Sequence, residues 1–192
     1  MKKLLFLPIL AFAAFAFTTL SGYQVDTASS KVVWTASKVT GTHTGTVKVK
    51  SGDLRFDQGK LVGGAFEIDM TSISNTDLEG EWRDKLVGHL KSADFFGTDK
   101  YPTAKFTITR AIPIDSKGNY KIVGNATIKE ITKEIKFNAA VNENNGKPTA
   151  TAKITLDRTD FDVRYGSGSF FDNLGDKTIY DEFDLQVTLV SK

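Results

Sequence analysis

Few side chains in this sequence are equipped for bond-making chemistry. Its 192 residues hold two histidines and no cysteine, and neither histidine has carboxylates at the tight spacing of a metal site. There is no Gly-x-Ser-x-Gly elbow and no nucleophile with a base placed to activate it. The pattern therefore calls for no metal, no cofactor and no enzyme. The stretch RYGSGSFFDNLGD, Arg164 to Asp176, offers Gly-Ser-Gly-Ser amides to an anion, but such a cradle needs a following helix to add its dipole. None is evident, so the stretch reads as a mobile loop over a rim. Three candidates for polar contact with a ligand remain. They are His43 after the glycine-rich turn in VTGTHTGTVK, His89 one turn beyond Lys85, and Arg164, whose guanidinium suits phosphate.

The elements that must position these residues are mostly strands. In AKFTITR, Ala104, Phe106 and Ile108 share one face while Lys105, Thr107 and Thr109 share the other, the period-two signature of a half-buried strand. The same alternation places Ile131, Ile135, Phe137, Ala139 and Val141 together, with Lys133 as a polar intruder. It also groups Ala150, Ala152, Ile154 and Leu156, and then Phe183, Leu185, Val187 and Leu189. Earlier in the chain, Val62, Gly64, Phe66, Ile68 and Met70 form one face, and Val32, Trp34 and Ala36 another. Turn residues separate these runs at DQGK, DSKGN and NENNGKP.

About eight strands of this kind, each with one dry face, predict an all-β antiparallel sheet closed into a barrel. A two-sheet sandwich is the alternative that periodicity does not separate. The small inward residues Ala36, Gly64, Ala104, Ala126, Ala139, Ala150 and Ala152 leave room for one small ligand, as an eight-stranded barrel allows. The same residues also fit a solid core in which Phe66, Phe106 and Phe137 interlock with them.

One helix interrupts the strands. Thr76 and Glu79 form a capping-box pattern, and Leu78, Trp82, Leu86 and Leu90 recur every four residues as an apolar stripe. The spacing predicts an amphipathic helix over about 76–91, packed against the barrel mouth, with Gly97 and the Tyr101-Pro102 pair turning the chain back into a strand.

The first 22 residues have the layout of a secretory leader: Lys2 and Lys3, an apolar run from Leu4 to Phe17 broken by Pro8, then small and polar residues. The run is shorter than the roughly 20 residues that span a bilayer. Cleavage is expected after Ala16 or near Ser21 and Gly22, leaving one domain over about 23–192 in the periplasm or outside the cell. Lys2 and Lys3 account for the formal net charge of +2, so nothing suggests a nucleic-acid surface.

The stretches EWRDKLVGHLKSADFFGTDKYPTAKF, GNATIKEITKEIKF and LDRTDFDV resemble the YceI-like family of exported bacterial lipid-binding proteins. The segment ending FF-x-x-x-x-YP-x-A-x-F is the most specific part. The resemblance implies an extended lipocalin-like barrel whose apolar cavity takes polyisoprenoid or similar long-chain lipids, without an established catalytic activity. It departs from the family pattern at Glu130 and Asp162, where glycine is usual, and at Ala126, where the family has an interior Leu.

On this reading the tail would contact Trp34, Phe66, Ile68, Trp82, Leu86, Leu90, Phe106, Ile108 and Phe137. His43, His89 and Arg164 are the head-group candidates. Phe95 and Phe96 are left out, because consecutive turn residues rarely face the same way. The partner expected is an isoprenoid or fatty-acid-like lipid, with transient contact to a membrane or lipid donor. A solid-core protein-interaction domain and a hydrolase acting on a lipid-like substrate are the alternatives.

Overall fold

The computed structural model describes residues 20–144 and 146–192; most of the expected leader, including Ala14 to Ala16, lies outside them. The elements run β1 (Leu20–Gln24), β2 (Lys31–Lys38), β3 (Gly41–Asp57), β4 (Lys60–Asn75), α1 (Gly80–Lys91), β5 (Thr103–Pro113), β6 (Asn119–Ile128), β7 (Ile131–Asn144), β8 (Lys147–Asp157) and β9 (Ile179–Val190). Strands β2 to β9 pair antiparallel with their neighbours, β9 returns to β2, and β3 pairs β4, which closes an eight-stranded barrel. The ninth strand, β1, extends the wall along the far half of β3. It begins three residues inside the segment expected as leader.

The dry faces point inward and the Thr, Lys and Glu faces outward, the reverse of a membrane-spanning barrel with a lipid-facing exterior. One alternation is misread from sequence. Between β3 and β4 the register moves from Arg55↔Gly63 to Phe56↔Leu61. The extra residue, Val62, is 45% exposed, while Leu61 is 2% exposed. The one-residue insertion shifts the in–out alternation by one position, so Leu61 and not Val62 faces the interior.

Up-and-down order puts alternate connections at opposite ends. The end bearing the β3–β4, β5–β6 and β7–β8 turns is packed solid. Tyr23 meets Phe56 edge to face at 5.5 Å, and the buried Tyr120 hydroxyl accepts the Leu61 N–H at 3.2 Å. The other end carries the β2–β3 hairpin, α1, the β6–β7 turn and the long β8–β9 connection. There the β7–β8 ladder stops at Ala139↔Ala152, leaving Ile131–Asn138 without a β8 partner. A 3-10 turn, Arg158–Phe161, covers this seam. Lys133 Nζ reaches Asp160 at 3.2 Å and Lys129 Nζ donates to the Asp162 carbonyl at 2.8 Å.

The helix is shorter than its sequence pattern. Thr76 and Asp77 are taken by β3 instead of capping: Thr76 N–H and hydroxyl both donate to the Thr44 carbonyl. Asp77 accepts the Thr44 N–H at 2.7 Å and the Asn75 amide at 2.6 Å. Asn75 Oδ1 accepts the Leu78 N–H at 2.9 Å. With its would-be first turn tied down, α1 starts at Gly80 and Glu79 makes no side-chain cap.

Candidate functional site: an apolar cavity

The barrel encloses a cavity of about 460 Å³. Its middle is walled by Phe66, Ile68, Phe106, Ile108 and Phe137, and Trp34 of β2 with Leu86 and Leu90 of α1 stand in its wall at the helix end. Eight of the nine expected tail-contact residues therefore converge on one space. Phe66 and Phe106 are cross-strand neighbours with stacked rings 6.4 Å apart, and Phe106 meets Phe137 at 5.5 Å. Gly124 makes that row possible, since a Cβ there would lie 2.5 Å from the Phe106 ring. Ala36, Ala104, Ala126, Ala139, Ala150 and Ala152 also line the cavity and leave space there, whereas Gly64 interlocks with large neighbours, since a Cβ there would lie 3.2 Å from the Phe66 ring.

Trp82 is the exception. Residues 80–85 are exposed, and Trp82 itself is 73% exposed, its ring lying under Lys85 Nζ at 5.3 Å. Only the second half of the stripe reaches the barrel, because the helix begins four residues later than its capping pattern. Trp34, expected in the wall on its own account, is the indole that lines the cavity: it is buried and its N–H donates to the Ser74 carbonyl at 3.0 Å. Gly45 makes room for it, as a Cβ there would lie 2.6 Å from the indole. Phe95 and Phe96, doubted from sequence, both line the cavity. The tight turn after α1 lets their rings meet at 5.3 Å, with Gly97 taking a positive φ of 57°.

The polar candidates separate. His43 and His89 stand in the cavity wall and Arg164 does not. His43 Nδ1 pairs with Asp77 Oδ2 at 2.7 Å, tying the β2–β3 hairpin to the segment that leads into α1. Burial alone would raise the Asp77 pKa. The hydrogen bonds from Thr44, His43 and Asn75 outweigh it and hold the carboxyl below its ordinary value. Arg164 faces water, bound to Asp162 at 2.9 Å and lying over Phe170, because the 3-10 turn places it outside the seam.

Arg158 is the residue that sequence reasoning missed. It lines the cavity and is only 3% exposed. Its Nε donates to the Tyr180 carbonyl, Nη1 to those of Val163 and Tyr165, and Nη2 to Ile179 and the Asp181 carboxylate. Those five bonds use all five N–H donors of a guanidinium. Burial lowers its pKa and Asp181 opposes the change; a guanidinium stays charged regardless. The glycine-rich stretch beyond it is a packed turn at its start. Ser167 is fully buried and Gly166 accepts the first N–H of β9. Among the described residues no group of three His, Asp or Glu is placed to hold a metal ion.

Residues 23–191 match the model of the YceI-like domain. The chain belongs to the YceI-like family. A UPF0312 protein of Shewanella baltica is 31% identical over 150 residues, covering 74% of this chain and 71% of that protein. One of Pseudomonas putida is 30% identical over 126 residues, 62% of this chain and 63% of its own. Among solved structures, BcnA of Burkholderia cenocepacia superposes with a TM-score of 0.69 at 23% identity, over 88% of this chain and 99% of its own. A polyisoprenoid binding domain from Saccharophagus degradans gives 0.66 at 14% identity, over 88% and 97%. At these identities the two solved structures establish a shared fold. At the two positions where this YceI-like chain lacks the glycine expected from the family pattern, Glu130 and Asp162 adopt left-handed φ of 64° and 58°.

Proposed function

We propose that the protein is a non-catalytic carrier or buffer for a long-chain amphiphile, a polyisoprenoid or similar lipid, working in the periplasm. The observation that carries this reading is the cavity: about 460 Å³, within the range of roughly 300–1,000 Å³ of small-molecule sites, and walled almost entirely by apolar side chains. A solid-core interaction domain would have no use for such a space. The polyisoprenoid-binding description of the Saccharophagus structure and the YceI-like family model support the choice of ligand class. The leader pattern supports the compartment.

The energetics suit a tail without strong polar anchoring. Burying a branched five-carbon unit removes on the order of 100 Å², about 2.5 kcal/mol. A few units exceed an association cost of roughly 4 kcal/mol or more. Affinity should then rise with chain length until the cavity is full.

Trp82→Phe leaves Trp34 as the single indole, because the chain has two tryptophans. Titrating that variant with prenols of increasing length should shift Trp34 emission with saturating stoichiometry and tighter binding for longer chains. Native mass spectrometry of detergent-free periplasmic protein should show one lipid per chain. An empty protein that refuses every prenol and fatty acid would end the carrier reading.

A further inference from the structure

The cavity carries information about the polar end of its ligand. An anionic head group would need a free buried cation, and Arg158, the buried cation in the wall, has every donor engaged by the protein. Lys38 and Lys105 also border the cavity but are exposed, so their charges stay hydrated. His89 differs from both. Of the buried side-chain polar atoms without a partner among the described residues, Asp57 Oδ1, His89 Nε2 and Ser191 Oγ, only His89 belongs to the cavity wall. Its imidazole is flanked edge to face by Phe95 at 5.4 Å and Tyr165 at 4.5 Å. Tyr165 is half exposed, and a turn of its ring toward solvent would uncover His89 Nε2, which the two rings now cover. An unpaired buried polar atom is costly, and in an apolar cavity a ligand group is the natural partner for it.

We propose that this site selects an uncharged amphiphile whose terminal hydroxyl hydrogen-bonds His89 Nε2 between the rings of Phe95 and Tyr165. A hydroxyl both donates and accepts, so it satisfies either tautomer of the imidazole. A phosphate or carboxylate entering the same place would lose its hydration beside a wall whose buried guanidinium, Arg158, already has every donor engaged. This inference rests on the carrier reading and adds the chemistry of the head.

The test compares geranylgeraniol, geranylgeranyl phosphate and the parent hydrocarbon of the same chain, each titrated against the full protein and its His89→Leu and His89→Gln variants. In the unaltered protein the alcohol should bind tightest. His89→Leu should weaken the alcohol about tenfold and leave the hydrocarbon as tight or tighter, while His89→Gln should recover part of the alcohol's affinity. Tightest binding of the phosphate, or an alcohol affinity unmoved by His89→Leu, would overturn the head-group assignment while leaving the carrier reading intact. Failure of all three chains to bind would overturn both.

Discussion

The two ends of this barrel are built from the same alternating strands and end up doing opposite things. At the β3–β4 end the ladder is continuous through β7 and β8, and Tyr23, Phe56 and Tyr120 fill the interior. At the helix end the β7–β8 ladder stops, and the gap is covered by a 3-10 turn held by lysine contacts and a buried arginine. Continuous pairing with aromatic filling gives a floor. Interrupted pairing gives a roof over empty space, held by polar clasps and by a second, smaller apolar cluster of Trp34, Ile73, Leu90, Phe95 and Val163.

Arg158 offers the strongest way to break that contrast. Arg158→Met removes the link between the turn after β8 and the start of β9 and strands several carbonyls, a loss of about 3–5 kcal/mol by analogy with broken buried ion pairs. Amide exchange should lose protection mainly over 163–181. Equal loss at Tyr120 would mean that both ends unfold as one unit and that the contrast is only architectural.

The same residue type placed at each end sharpens it further. Phe56→Ala in the floor should cost about 3–5 kcal/mol in urea unfolding, the usual range for a packed phenylalanine. Phe137→Ala, bordering space already empty, should cost less than about 3 kcal/mol, because its ring has fewer partner atoms to lose. The second variant should alter which lipids bind and the first should not. Equal costs would mean that the cavity wall is packed as tightly as the floor.

Acid should loosen the helix end before the floor. The Asp77 pKa is lowered in the folded state, so its contribution is present above the ordinary carboxylate value of about 4 and is lost as pH falls through the lowered value. Trp34 emission in the Trp82→Phe background should change on that acid limb, and Asp77→Asn should flatten it. A limb unchanged by Asp77→Asn would assign the transition to another group.

The smallest effect is expected at the turns. Glu130 and Asp162 hold left-handed backbone that costs a non-glycine residue about 1 kcal/mol or more. Part of any relief is offset by the greater freedom of an unfolded glycine. Glu130→Gly and Asp162→Gly should each add about 0.5 kcal/mol to the free energy of unfolding, read as a small rise in the thermal midpoint. A lowered midpoint would show that Glu130 or Asp162 makes a side-chain contribution larger than its backbone strain.

The strand faces were legible because the alternation of a strand is local: each residue's side is decided by its immediate neighbours. That reasoning placed Trp34, Phe66, Ile68, Phe106, Ile108 and Phe137 in one interior. It failed at Val62, where the bulge depends on how β3 and β4 meet, and at Trp82, where β3 claimed Thr76 and Asp77 before they could cap the helix. Arg158 left no local signal beyond its place in LDRTDFDV, since its five partners come from segments up to 23 residues away. By itself the sequence determined the barrel's dry and wet faces, the presence of a helix and the small residues that hollow the core. Only the tertiary structure decided which end is floor and which is roof, how much space lies between them, and that His89 Nε2 in the cavity wall is buried without a partner among the described residues. These depend on contacts between distant segments, and no local periodicity encodes them.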